Sequence, residues 1–111
     1  MTEDLASRKC IPCEGGVDAL SEEAATDLLG KVPGWTLVNG DKLHRTLLFP
    51  DFVRLMSFVN EMAELAEAEG HHPDFSVHYN RLEVTVWTHA IEGLSENDFI
   101  LAAKISRIRD A

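Results

Sequence analysis

The stretch from Asp51 to Pro73 leaves this chain few ways to fold. Phe52, Leu55, Met56, Val59, Met62, Ala63 and Ala66 recur at the spacing of one helix face, which predicts a helix from Asp51 to about Glu69. The pattern stops at Gly70-His71-His72-Pro73, where proline forces the backbone into an extended course. Beyond it the period drops to two. Phe75, Val77 and Tyr79 alternate with Ser76, His78 and Asn80, and after a turn at Asn80-Arg81 the segment Leu82 to Thr88 is equally strand-like. Phe58 and Leu65 widen the helical stripe beyond what one sheet should cover, which points to a second buried face and a subunit contact.

The flanking segments repeat this alternation. Ser21 caps a short helix over 22–29, with two acids in its first turn and Gly30 placed to stop it. Pro33-Gly34 turns into Trp35 to Val38, and Asn39-Gly40-Asp41 reads as a hairpin into Lys42 to Phe49. Ser95-Glu96-Asn97-Asp98 is a capping-box pattern opening a last helix whose Leu101, Ala102, Ile105 and Ile108 face inward. The order is α-β-β-α-β-β-α. Strand pairs joined by tight turns predict an α+β, two-layer domain: one four-stranded antiparallel sheet with three helices on one side.

At 111 residues the chain suffices for one core, placed over 20–111. A formal charge of −9 argues against a nucleic-acid backbone or an anionic membrane as partner, since both reward clusters of Lys and Arg. No segment has the apolar run of about 18 residues that a membrane span needs. The polar, acidic start has no leader pattern, so a cytoplasmic location is expected. Residues 1–19 read as a flexible arm carrying Cys10-Ile11-Pro12-Cys13. A CxxC can be a redox dithiol or half of a zinc site; Pro12 and Glu14-Gly15-Gly16 instead favour an irregular tail with reduced thiols.

Histidine is the side chain that can both give and take a proton near neutral pH. His71 and His72 leave a rigid bend in different directions and can touch two parts of one small ligand, while His89 ends the last strand at a sheet rim. Taken singly, each is more often a surface residue or a helix-terminal cation, and His44 and His78 are left as such. Glu61, Glu64, Glu67 and Glu69 crowd a helix end whose macrodipole disfavours them. Glu61, Glu64 and Glu69 read as a solvated acidic face. Glu67 either shares that solvated face or, if the helix continues to Gly70, meets the imidazole of His71 one helical turn on. Asp98 can be explained by the capping box and Tyr79 by the core.

Together, Glu67, His71-His72-Pro73, Tyr79, His89 and Asp98 resemble the signature of the pterin-4a-carbinolamine dehydratases. Tyr79-Asn80, Thr88-His89 and Gly93 to Asp98 are similar to family sequence as well, and the resemblance runs from about Leu20 to the C-terminus. It implies dehydration of 4a-hydroxytetrahydropterin to quinonoid dihydropterin, which recycles the pterin of an aromatic amino acid hydroxylase. It implies His71 and His89 as proton donors to the leaving hydroxyl, with His72 binding the pterin or acting as base. Glu67, Pro73, Tyr79 and Asp98 are then supporting residues, and the assembly is a dimer or a dimer of dimers. The reaction leaves the oxidation level unchanged, so no metal and no cofactor is expected. Two other classes stand beside this reading: a binding or dimerisation partner of a transcription factor on the same fold, and a zinc hydrolase built on His71, His72, His89 and a carboxylate. Adjacent histidines rarely converge on one metal, which weighs against the last.

Overall fold

The computed structural model describes residues 5–8, 10 and 19–110. After a short 3-10 turn at Leu5–Ser7 come α1 (Glu22–Leu29), β1 (Thr36–Val38), β2 (Lys42–Leu48), α2 (Phe52–Glu69), β3 (Asp74–His78), β4 (Arg81–Val86) and α3 (Glu96–Asp110). The strands form one antiparallel sheet in the order β1-β2-β4-β3. The expected α+β order is therefore the observed one, with strand ends displaced by a residue or two.

Side-chain alternation decides which face of the sheet is covered. Leu43 and Leu47 of β2 and Leu82, Val84 and Val86 of β4 are buried, and they meet Leu55, Val59 and Met62 of α2 and Leu101 and Ile105 of α3. Glu83 and Thr85, between the buried β4 residues, point to the open face. Asn39 and Gly40 both take positive φ, 54° and 73°, the conformation their hairpin requires.

Gly30 caps the end of α1 as expected, in a right-handed conformation, and the chain tightens through Lys31 and Val32 N–H bonds to Leu28 and Leu29 before Pro33. Two local expectations are corrected. The second hairpin turns at Tyr79-Asn80 rather than Asn80-Arg81, with Tyr79 at φ 54°. Phe58 needs no second subunit for its burial: it packs against Phe49 with ring centroids 5.4 Å apart and is 7% exposed within one chain, and Leu65 lies partly buried against the same core.

The expected arm also packs where it is described. Leu5, Ala6 and Cys10 are buried, and the Leu5–Ser7 turn lies against α3. Additional cover of this kind suits a helix whose buried residues, Phe99 to Ala102 and Ile105, run around more than one stripe. Cys13 and the Pro12 to Gly16 sequence lie outside the described residues.

Candidate active site

The end of α2 sets the site. Gly70 takes φ 67°, its N–H bonds the Glu67 carbonyl at 3.3 Å, and the His71 N–H reaches back to the Ala66 carbonyl at 3.2 Å. This is a Schellman motif, which a glycine at that position adopts without steric penalty. It turns His71 off the helix axis while tethering its backbone to the last turn. Pro73 then sends the chain into β3.

The same left-handed turn overturns the expected partner of Glu67. His72, not His71, meets it, with Nε2 3.1 Å from Glu67 Oε1. His71 faces Asp98 instead, at 2.6 Å from Nε2 to Oδ1. Asp98 has no solvent exposure, and its other oxygen accepts the Thr88 hydroxyl at 2.8 Å and the Ser95 N–H at 2.8 Å. The Ser95 N–H bond is one half of the expected capping box; the Ser95 hydroxyl is 3.0 Å from that of Thr88. Asp98 is thus a cap and a partner for the site at once.

His89 lies in a 3-10 turn, His89–Ile91, beyond the end of β4 rather than on the strand. Its ring packs at 4.0 Å on that of Trp87, and its Nε2 is 3.5 Å from Asp74 Oδ2, which also accepts the Trp87 indole N–H at 3.0 Å. Lys42 Nζ sits 4.4 Å over the Trp87 ring.

These groups meet around a cavity of about 330 Å³, lined among others by His71, His72, Asp74, Trp87, Thr88 and His89. Each of the three histidines has Nε2 directed at a carboxylate. A carboxylate can only accept, so for His71 and His72, which are hydrogen-bonded to theirs, the ring hydrogen belongs on Nε2 and Nδ1 is left for a ligand or a proton. Burial separates the pairs. His71 is 12% exposed with Asp98 fully buried, whereas His72 and His89 are each 61% exposed beside exposed acids. Exposed pairs of that kind contribute about 0–1 kcal/mol, while removing one member of a buried pair costs about 3–5 kcal/mol. His71 is consequently the ring held most firmly. Among the described residues no three His, Cys, Asp or Glu side chains are arranged to hold a metal ion.

Tyr79 is not brought to this cavity. It is 68% exposed in the turn after His78, at the opposite end of β3 from Asp74. Asp74, Trp87, Thr88 and Asn97, which do line the cavity, carried no role in the sequence reading. For Asp74 a signal existed, an acid directly after His-His-Pro, while Thr88 and Asn97 could be placed only by the packing of β4 against α3.

Glu69 departs from the solvated face assigned to it. Its side chain is 7% exposed; Oε1 accepts the Cys10 N–H at 2.8 Å and Oε2 lies 3.0 Å from Lys104 Nζ. Burial opposes ionisation of this carboxyl, yet the Cys10 amide and the Lys104 ammonium together hold it below its ordinary value. Burial, with the nearby Glu69 charge second, pushes the Cys10 thiol up to about 12, so it stays protonated near neutral pH, with Sγ 3.6 Å from the Asn97 carbonyl.

The sequence model of the family described as pterin 4 alpha carbinolamine dehydratase matches residues 18–108. The Arabidopsis thaliana protein named pterin-4-alpha-carbinolamine dehydratase 2, mitochondrial, is 47% identical over 111 residues, covering 96% of this chain; the chain spans 59% of that relative's length. A Dechloromonas aromatica protein named provisionally for the same activity is 47% identical over 105 residues, covering 95% of this chain and 93% of its own. The crystal structure of a transcriptional coactivator/pterin dehydratase from Brucella melitensis superposes with a TM-score of 0.77 at 34% identity, covering 82% of this chain and 98% of that one.

Proposed function

The chain belongs to the pterin 4 alpha carbinolamine dehydratase family, and from that membership and the site geometry we propose that it dehydrates 4a-hydroxytetrahydropterin to quinonoid dihydropterin by histidine acid-base catalysis. The observation that carries the mechanism is one cavity rimmed by three imidazoles, the most buried of them fixed at 2.6 Å by a fully buried aspartate.

Hydroxide is a poor leaving group. The C4a oxygen must take a proton as the N5 lone pair forms the C4a–N5 double bond, so that water departs, and the resulting cation must then lose a ring proton. One acid and one base suffice, each worth about 10²–10⁴-fold when well placed. His71, oriented by Asp98, and His89, backed by Asp74 and stacked on Trp87, are assigned to protonating the departing hydroxyl. His72 is assigned to binding the pterin and to taking the ring proton, with Glu67 as its partner.

The substrate pterin would come from an aromatic amino acid hydroxylase. Assembly into a dimer or a dimer of dimers is part of the same proposal, resting now on exposed Leu48, Phe52 and Val53 rather than on Phe58. A binding partner using the fold without the chemistry would have no use for three rings each set against a carboxylate around one cavity. The test is stopped-flow absorbance with freshly generated carbinolamine and chelator-treated protein. A rate well above buffer is expected; a rate equal to buffer refutes the assignment.

A further inference from the structure

The described part of the N-terminal segment runs along the start of α3 and finishes on the end of α2. Leu5 and Ala6 are buried, Arg8 Nη1 pairs with Glu96 Oε1 at 2.5 Å, Cys10 Sγ reaches the Asn97 carbonyl, and the Cys10 N–H donates to Glu69. Asn97 lines the cavity and Asp98 holds His71. Glu69 stands two residues before His71, and its second oxygen pairs with Lys104 of α3.

A carboxylate buried at the C-terminal end of a helix meets both a desolvation cost and an unfavourable macrodipole. At this position it is satisfied by two donors from two other segments. The consequence lies in the number of links. Core packing of α2 against α3 sets the helices' general orientation, but at the exposed end of α2, where the chain leaves the helix, the His71–Asp98 bond alone fixes only one distance. Glu69–Lys104 joins the same two segments a second time, six residues further along α3, or about 9 Å at 1.5 Å per residue. Two links that far apart fix orientation as well as distance.

We propose that Glu69, braced by Lys104 and the Cys10 backbone amide, is a positioning residue of the active site: it locks the segment carrying His71 and His72 onto the helix carrying Asp98, and makes the N-terminal segment part of the catalytic scaffold. The inference rests on the dehydratase reading for its activity arm and on the fold alone for its geometry. The Cys10 thiol has no part in it, since the contact is made by the main chain.

Glu69→Gln preserves shape and removes the charge; Lys104→Met removes the partner. For both, kcat should fall by at least about fivefold with KM within about twofold, because a misplacement of 1 Å in a reacting group can cost ~10²-fold. The double variant should be little worse than either single, as for two members of one contact. Glu64→Gln, exposed on the same helix, should match wild type. A readout independent of activity is the ¹⁵N and Nε2–H resonance of His71, which should move in Glu69→Gln as the Asp98 bond loosens. Unchanged kcat and unchanged His71 resonances in a folded variant, with only the melting temperature lowered, would overturn the proposal. If Glu69→Gln does not fold, the same readouts on Lys104→Met decide. An inactive wild type would refute the dehydratase reading, while the resonance arm would still report on the brace.

Discussion

Asp98 receives a histidine ring on one oxygen and a threonine hydroxyl and a serine amide on the other, so altering either oxygen disturbs at least one of these donors. Asp98→Asn replaces one acceptor oxygen by a donor group, so a buried N–H is set against another donor. Urea denaturation should register a loss of about 1–3 kcal/mol, and turnover should fall at least about tenfold because His71 loses its orientation. Full turnover in that variant would detach Asp98 from the chemistry. His72 is exposed and paired with an exposed acid, so as a binding contact His72→Ala should raise KM more than it lowers kcat, whereas a fall in kcat matching that of His71→Ala would mark it as the base. Of the cavity's lining, His71, His72, Pro73 and His89 stand out in the sequence, whereas Trp87, Thr88 and Asn97 do not, and two pairings are not legible there. Counting four residues back from His71 to Glu67 assumes an unbroken helix, and the left-handed φ of Gly70 invalidates that count. Asp98 is 27 residues from His71, a separation that no local rule bridges.

At the level of elements, periodicity sufficed wherever one face met the core. β2 and β4 follow their apolar patterns closely, because a slip of one residue would reverse every side chain, and α2 keeps its apolar stripe against the same core. α3 by itself shows a single stripe, since nothing in its own sequence reveals that residues near position 5 cover a further part of it. The N-terminal segment has the sequence of an arm for the same reason: its Gly- and Pro-containing stretch has no period, and burial of Leu5, Ala6 and Cys10 depends on a groove formed by distant residues. The junction between α2 and β3 can be tested directly. A Cβ at Gly70 would meet nothing within 4 Å, so Gly70→Ala isolates the conformational term. It should cost about 1–2 kcal/mol in denaturant titrations, the usual penalty for a left-handed L-residue, and lower turnover by displacing His71. A neutral outcome would mean that the cap does not set the site.

The whole molecule joins these parts through a few polar contacts that carry a pH signature. The Glu69 carboxyl titrates below its ordinary value of 4.5 in the folded chain, so its contribution to stability is present above that value. It is lost as pH falls through 4.5 toward the lowered folded value. Melting temperature measured between neutral pH and pH 3 should therefore drop less steeply in Glu69→Gln than in wild type; parallel curves would contradict the buried pairing. Association is read separately: light scattering should give at least twice the mass of one chain, and Phe52→Asp with Val53→Asp should reduce it, whereas a monomeric wild type would end the assembly proposal. The central claim is that the histidine set carries the dehydration. The most direct measurement is the stopped-flow turnover of His71→Ala and His89→Ala beside His78→Ala, whose ring lies on the open face of the sheet near Glu83. Loss of at least about tenfold in the first two, with the third at wild-type rate, is predicted. Wild-type turnover in both His71→Ala and His89→Ala would contradict it.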